Sequence, residues 1–216
     1  MPQYRFDIVQ NSEEWEQIRH GKFTASIAAD LLMDKKTKGY TNLIDKIVEE
    51  RMTGEQNESS KFGGNGYTDR GHELEPIARD DYEFRSFNNV QIVGVVEHDD
   101  WVLCSPDGLI DDDGVHQIKC PIFKTQREYL KIIHANKDLT AAELLKKIDS
   151  GYYKQLQFEL FVTERKYNVF TSYHPKLPAF DLIIERDEEM IQQIIQRIDE
   201  VKQEVINEIE FLNKLT

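Results

Sequence analysis

The sequence predicts an α/β fold in which a central mixed β-sheet is flanked by helices. Three observations lead there. Residues 89–120 are valine-rich and alternating, and aspartate and glycine turns cut them into a strand meander. Helical patterns stand before the meander and after it. The chain closes on apolar residues at 191, 194, 195, 198, 201, 205, 209 and 212, spacings of three and four that draw one stripe along a helix. With 216 residues, 39% hydrophobic and 31% charged, the chain suits a single domain over 1–216.

Each element has its own signal. Asn11 with Glu14 fits a capping box ahead of Trp15 and Ile18, and Gly21 is a stop. A second helix is expected over Thr24–Met33 and a third over Thr41–Met52. Residues 53–70 are polar and glycine-rich and predict a mobile loop. A fourth helix runs from Gly71 to Phe84, with Pro76 tolerable only in its first turn. Asn89–Glu97 is a strand, Asp99-Asp100 a turn, and Trp101–Ser105 a second strand that Asp107–Ile110 extends. Asp111-Asp112-Asp113-Gly114 is a hairpin turn into the strand Val115–Cys120. Helices follow over Thr125–His134, Ala141–Ile148 and Gly151–Val162, then strands Asn168–Tyr173 and Phe180–Ile184. The striped helix over about 187–213 ends the chain.

Composition excludes several classes. The longest apolar stretch, Ile92–Val96, is too short to span a bilayer. The opening MPQYRFDIVQ has no long apolar core, so a cytoplasmic protein with reduced Cys104 and Cys120 is expected. Six histidines show no metal-ligand spacing. Phe62-Gly63-Gly64-Asn65-Gly66 lacks the Gly-Lys-Ser/Thr ending of a nucleotide-binding loop. The net charge of −13 argues against a protein coated in nucleic acid, yet leaves room for a local basic groove.

The chemistry concentrates in Ser105-Pro106-Asp107-Gly108 and Gln117-Ile118-Lys119-Cys120-Pro121. Gln117 and Lys119 lie two apart on one strand and share a face, while Asp107 ends the neighbouring strand. A carboxylate, an amide oxygen and an ammonium would then meet in one cleft. Phosphodiester hydrolysis uses such a set: hard oxygen ligands hold Mg²⁺, and a lysine orients water or stabilises transition-state charge. The plain alternative is a turn aspartate beside a solvated lysine. Arg19, Lys22 and Ser26 fit an anion site at a helix end, or simple capping. His116 alternates away from Gln117, and both cysteines fit packing better than nucleophilic chemistry.

These pieces resemble the PD-(D/E)xK nuclease pattern, and more narrowly the bacteriophage lambda exonuclease family of viral recombination nucleases. Arg19-His20-Gly21-Lys22-Phe23-Thr24-Ala25-Ser26 is similar to its R-x-G-x-x-T-A-S element. Gly71-His72-Glu73-Leu74-Glu75-Pro76-Ile77-Ala78 is similar to its G-x-x-x-E-x-x-A helix. Ser105-Pro106-Asp107-Gly108 matches S-P-D-G, residues 117–121 match E-x-K-C-P except at their first position, and Gln155-Leu156-Gln157 is similar to Q-x-Q. The resemblance spans about residues 15–187. It implies a restriction-endonuclease-like core with Asp107 as the central metal ligand, Gln117 at the second carboxylate position, the Ile118 carbonyl completing the shell, Lys119 as catalytic lysine and Glu75 near the metals. Arg19, Ser26 and Ser105 match residues that hold a 5′-terminal phosphate, and Gln157 a residue close to the centre. The family arginine past K-C-P falls at Thr125, so Lys124 or Arg127 is a candidate substitute; Lys22, Gln155 and Gln157 are further candidate DNA contacts.

The resemblance further implies a Mg²⁺-dependent exonuclease, with two ions and with Mn²⁺ as an alternative, that digests duplex DNA from 5′-phosphorylated ends. A homotrimeric ring, a single-strand annealing partner, a role in phage recombination and the cytoplasm of a bacterial host come with it. Gln117 is the departure: it keeps the shape of glutamate but lacks one negative charge. An engineered inactivating substitution and a natural variant both fit. An endonuclease of the same superfamily and a non-catalytic DNA-end-binding protein are the alternative readings.

Overall fold

A computed structural model describes residues 1–57 and 66–215. Of the loop expected over 53–70, residues 58–65 lie outside the described residues, and with them most of the glycine run at 62–66, whereas 66–70 are already helical rather than loop.

Among the described residues the strands form two sheets. The smaller has the order β1 (Gln3–Arg5), β4 (Val95–Glu97), β5 (Val102–Cys104), β2 (Phe23–Thr24), with β2 parallel to β5 and the other pairs antiparallel. The larger has the order β3 (Val90–Gln91), β6 (Gly108–Ile110), β7 (Gly114–Lys119), β8 (Tyr167–His174), β9 (Leu177–Glu185). Only β7 and β8 run parallel in it.

Two expected strands break where the chain changes sheet. Asn89–Glu97 divides into β3 and β4. Between them Gly94 passes so close to Ile8 that a Cβ would stand 2.1 Å from the Ile8 carbonyl oxygen. The run from Trp101 to Ile110 divides into β5 and β6 at Ser105-Pro106-Asp107. Pro106 has no N–H to extend a ladder, so the pairing ends there. The S-P-D-G segment is thus the crossover between sheets.

The N-terminal helices also differ from the expectation. Helix α1 (Glu13–Arg19) is capped by Ser12, whose hydroxyl accepts from the Trp15 N–H at 3.2 Å, one residue after the expected cap. Asn11 instead takes a left-handed conformation with φ 63°. The helix expected over Thr24–Met33 is a two-residue strand, a 3₁₀ turn (Ala25–Ile27) and the short α2 (Ala28–Leu31), because pairing with β5 claims Phe23 and Thr24. Helix α3 (Lys38–Thr53) starts earlier than expected, where Thr37 caps the Tyr40 N–H. Helix α4 (Gly66–Ser86) holds Pro76 in its interior rather than its first turn. The ring lies on the exposed face, so the missing N–H leaves its carbonyl partner near water.

Helices α5 (Phe123–Ala135), α6 (Ala141–Ile148) and α7 (Ser150–Thr163) follow β7. Helix α7 buries apolar and polar residues alike, because neighbouring helices and strands enclose it on several sides. Phe158 and Val162 join one core with Phe23, Leu31, Ile47 and Val102, while Tyr153 and Leu156 join a second with Leu145, Phe170 and Ile184. Helix α8 (Glu188–Asn213) closes the first core by burying Ile194, Ile198, Val201 and Val205, while Ile191 packs with Val115 and Leu160; Ile195, Ile209 and Leu212 are less covered.

Candidate active site

The site forms where the sheet crossover meets the edge of α4 and the flank of α7. The β6–β7 hairpin pairs Gly108 with His116, so Asp107 comes to lie beside Gln117. Gly108 is fixed by what surrounds it: a Cβ there would stand 2.1 Å from Val90 Cγ1. One cavity of about 530 Å³ is lined by Glu75, Asp107, Gln117, Ile118 and Lys119, with Arg70, Thr125, Tyr129 and Tyr152 among its walls. The carboxylate, amide and ammonium do meet in one cleft.

Asp107 is held from two directions. Its Oδ2 accepts the Ile118 N–H at 2.6 Å and the side-chain amide of Gln117. Loss of water and the nearby Glu75 push its carboxyl up to about 7, against the pull of Lys119, the Ile118 N–H and Arg79. Burial raises Glu75 as well, although Arg79 donates to it at 2.6 Å. The same guanidinium donates to the Asp107 carbonyl at 3.2 Å. The Lys119 ammonium stands 5.3 Å from the centre of the Tyr152 ring, a cation–π contact at the cavity wall.

Gln117 is buried, and both ends of its amide are engaged. Its nitrogen serves Asp107 and lies 3.5 Å from the Ile118 carbonyl; its oxygen accepts from Gln155 at 3.0 Å. The oxygens of Asp107 and Ile118 therefore converge on a partial positive charge. Among the described residues no three His, Cys, Asp or Glu side chains form a closed metal cage. Two carboxylates and a carbonyl instead suit an ion that keeps several waters, as Mg²⁺ does. The sign of fit is the donor set itself: Glu75, Asp107 and Ile118 line one cavity, and burial, the largest cause of the raised carboxyls, leaves both with too little water to carry their charge unaided.

A second pocket of about 170 Å³ is lined by Trp15, Arg19, Lys22, Thr24 and Ser26, with Glu50 at its edge. Burial lowers Arg19 to about 10, and among the described residues no carboxylate forms an ion pair with it. Its guanidinium stacks 4.0 Å from the Trp15 ring centre and donates to Ser105 Oγ at 3.1 Å. That oxygen also accepts from Trp15 Nε1 at 3.0 Å, which leaves the hydroxyl hydrogen free to donate. Ser26 Oγ contacts Thr24 Oγ1 at 3.1 Å, and Lys22 is paired with Glu97 at 3.1 Å. Ser105 sits two residues before Asp107, so the backbone itself links this anion-ready pocket to the main cavity.

Other expected residues fall elsewhere. The Gln157 side chain is spent on the main chain: it donates to the Glu185 carbonyl at 2.9 Å and accepts from the Asp187 N–H at 2.8 Å, and it does not line the cavity. Gln155, not Gln157, touches the centre. Neither Lys124 nor Arg127 lines the cavity; Arg127 is exposed and pairs with Glu128. Arg70 is the guanidinium present there, donating to the Cys120 carbonyl at 2.5 Å. Cys104 is buried, as packing requires, whereas Cys120 is only half-buried at the cavity wall. His116 is wholly buried against Tyr82, turned away from Gln117 by strand alternation.

Sequence reasoning missed Arg70, Arg79 and Glu159. Glu159 is fully buried in α7, accepts from Gln155 at 2.9 Å and from Asn168 at 2.7 Å, and is pushed up to about 7 mainly by burial. Arg79 and Glu159 each follow a recognised site residue, Glu75 and Gln155, by four positions, which places them on the same helix face. That spacing was the available signal.

A mixed sheet flanked by helices, with a crossover aspartate, a strand lysine and a helix glutamate on one cavity, defines a PD-(D/E)xK-like fold. A family model described as a YqaJ-like viral recombinase domain matches residues 14–166, and the chain belongs to that family. The resemblance to the lambda exonuclease family is borne out. An alkaline exonuclease, LHK-Exo from Laribacter hongkongensis, is 32% identical with a TM-score of 0.80 over 94% of this chain and 97% of its own; its complex with dAMP gives the same values. A phage-related exonuclease from Haemophilus somnus 129PT, 16% identical with a TM-score of 0.67 over 90% of this chain and 96% of its own, shares the fold. No curated protein matches the sequence. Among the described residues no helix is long and apolar enough to cross a membrane.

Proposed function

We propose that this protein is a Mg²⁺-dependent exonuclease that digests linear duplex DNA from 5′-phosphorylated ends and releases mononucleotides. The observation that carries the reading is the single cavity shared by Glu75, Asp107, Gln117, Ile118 and Lys119, joined through Ser105 to the pocket of Arg19, which has no ion-pair partner among the described residues. Asp107, Glu75 and the Ile118 carbonyl would hold the ion, with Gln117 joining them if its amide turns over. A bound divalent ion supplies Lewis acidity and ionises water at neutral pH. Mn²⁺ is expected to substitute, and the donor set leaves room for two ions.

The chain's own residues supply the rest. Lys119 offers its ammonium to the scissile phosphate, where negative charge grows as the water attacks. Arg19 and the Ser105 hydroxyl grip the end phosphate by charge-assisted hydrogen bonds, with Ser26 beside them, and so set polarity. Only Pro106 separates Ser105 from Asp107, which fits a cut close to the gripped end. Related exonucleases carry names tied to phage and alkaline activity, which favours DNA ends as substrate and a recombination setting in the bacterial cytoplasm. A ring-shaped homotrimer working beside a single-strand annealing protein belongs to the same proposal.

The test uses 5′-phosphorylated linear duplex with Mg²⁺, the same duplex bearing 5′-hydroxyl ends, and closed circular DNA. Mononucleotides are expected from the first, far fewer from the second and none from the third. Cutting of the circle favours an endonuclease. Gln117→Glu is run beside the unaltered chain: if neither releases nucleotides the enzyme reading fails, and if only Gln117→Glu does, this chain binds ends without cutting them.

A further inference from the structure

Glu159 is a carboxylate with an unusual surrounding. It is wholly buried in α7, yet no ion pair with a lysine, arginine or histidine is formed by it among the described residues. Its oxygens meet only two side-chain amides, Gln155 Nε2 at 2.9 Å and Asn168 Nδ2 at 2.7 Å. Burying an ion without a counter-ion costs several kcal/mol as a rule, so a purely structural position would favour glutamine or an apolar residue.

The hydrogen bonds run in one direction. A carboxylate only accepts, so Gln155 must turn its nitrogen toward Glu159. That same nitrogen donates to the Gln117 oxygen at 3.0 Å, which leaves the Gln117 nitrogen facing Asp107. Glu159 therefore sets the sense of the chain Glu159–Gln155–Gln117–Asp107. Its charge also acts on Asp107 and Lys119 across this short path. Position 117 carries an amide where a carboxylate would add negative charge, and the missing charge has a counterpart directly behind it on α7.

We infer that Glu159 is a positioning residue for the cation site: it fixes the Gln117 amide through Gln155 and supplies from α7 the negative charge that strand position 117 lacks. This rests on the reading of the cavity as a divalent-cation site. Glu159 touches neither the ion nor the substrate, and acts through Gln155 and through its charge.

The inference is tested by Mn²⁺ binding to the DNA-free protein, followed by calorimetry and by the loss of the free-ion electron paramagnetic resonance signal. Glu159→Gln keeps the shape and removes the charge, and is expected to weaken Mn²⁺ binding about tenfold or more. Combining it with Gln117→Glu returns the charge to the strand and is expected to restore affinity to within about threefold of the unaltered chain. A role in packing alone would not be rescued in this way. Equal affinity of Glu159→Gln and the unaltered chain overturns the inference, as does a double variant no better than the single one. Should Glu159→Gln fail to fold, Gln155→Met breaks the link at a half-buried position; unchanged Mn²⁺ affinity there also overturns it. An unaltered chain that binds no Mn²⁺ removes the cation-site reading itself and this inference with it, whereas normal binding with an indifferent Glu159→Gln removes the inference alone.

Discussion

Arg19 and Asp107 are each costly alone, and the cost of each points to what completes it. A desolvated guanidinium stacked on Trp15, with no carboxylate paired to it among the described residues, is a ready partner for phosphate. Arg19→Ala should therefore reduce the preference for 5′-phosphate over 5′-hydroxyl ends, by about 10- to 100-fold for the loss of one or two charge-assisted hydrogen bonds. Competition between the two kinds of duplex end measures this directly. Asp107 and Lys119 sit at the centre of the cavity, so Asp107→Asn and Lys119→Ala should each lower nucleotide release by at least about 100-fold. Their circular dichroism and thermal midpoints should stay close to those of the unaltered chain. A loss below tenfold in both would place the chemistry elsewhere. Asp107, Gln117 and Lys119 were legible because strand alternation and a hairpin bring them together from local sequence alone. Gln157 misled because two glutamines two apart on a helix point about 200° apart, and nothing in the sequence tells which of them faces the sheet. Glu159 stayed hidden because α7 is enclosed on several sides, so no polar stripe marked its inner face.

At the scale of elements, the periodic segments were legible and the crossovers were not. The α5, α6, α7 and α8 boundaries and the β6–β7 hairpin follow from caps, apolar spacing and the aspartate-glycine turn, all of which act within a few residues. The division of 89–97 and 101–110 between two sheets depends on contacts with Ile8 and with the other sheet, which local pattern does not contain. The same contacts explain the glycine of S-P-D-G. A methyl group at 108 would press on Val90, which pairs with the hairpin from the next strand. Gly108→Ala should destabilise the protein by about 1–3 kcal/mol through this overpacking, read as a lower denaturant midpoint. It should also reduce activity more than an equally destabilising change far from the cavity, because Asp107 immediately precedes it. Ile198→Ala in α8 supplies that comparison: a buried cavity costing about 2–4 kcal/mol, with activity retained wherever the protein remains folded.

For the molecule as a whole, the sheet's other face sets how the fold responds to acid. His116 is buried behind Gln117, against Tyr82. Its Nε2 lies 2.8 Å from Thr171 Oγ1, and the Thr171 hydroxyl hydrogen goes to Asp181 at 2.8 Å. Thr171 must then accept from His116, so Nε2 carries the proton while Nδ1 has no partner among the described residues. Asp181 is paired in turn with Arg85 of α4, which makes this chain a tie between the large sheet and that helix. Burial lowers His116 from 6.5 to about 3; Asp181 opposes the shift, and Arg79 and Arg85 add to it. A histidine whose folded pKa is depressed favours the unfolded chain as acid is added, since only the unfolded form takes up the proton. Its contribution is therefore full above about 6.5 and declines by roughly 1.4 kcal/mol per pH unit toward about 3. His116→Gln keeps a donor for Thr171 and cannot titrate. It should flatten the stability profile between pH 6 and 4 by about that slope, whatever it costs at pH 7. Urea unfolding at several pH values compares the two directly, and parallel profiles would mean that His116 is protonated in the folded protein. Because His116 and Gln117 are successive residues of β7, one strand carries the acid-sensitive tie on one face and the candidate catalytic centre on the other. Loosening the first by acid should then blunt nucleotide release before global unfolding, and that early loss should be smaller in His116→Gln.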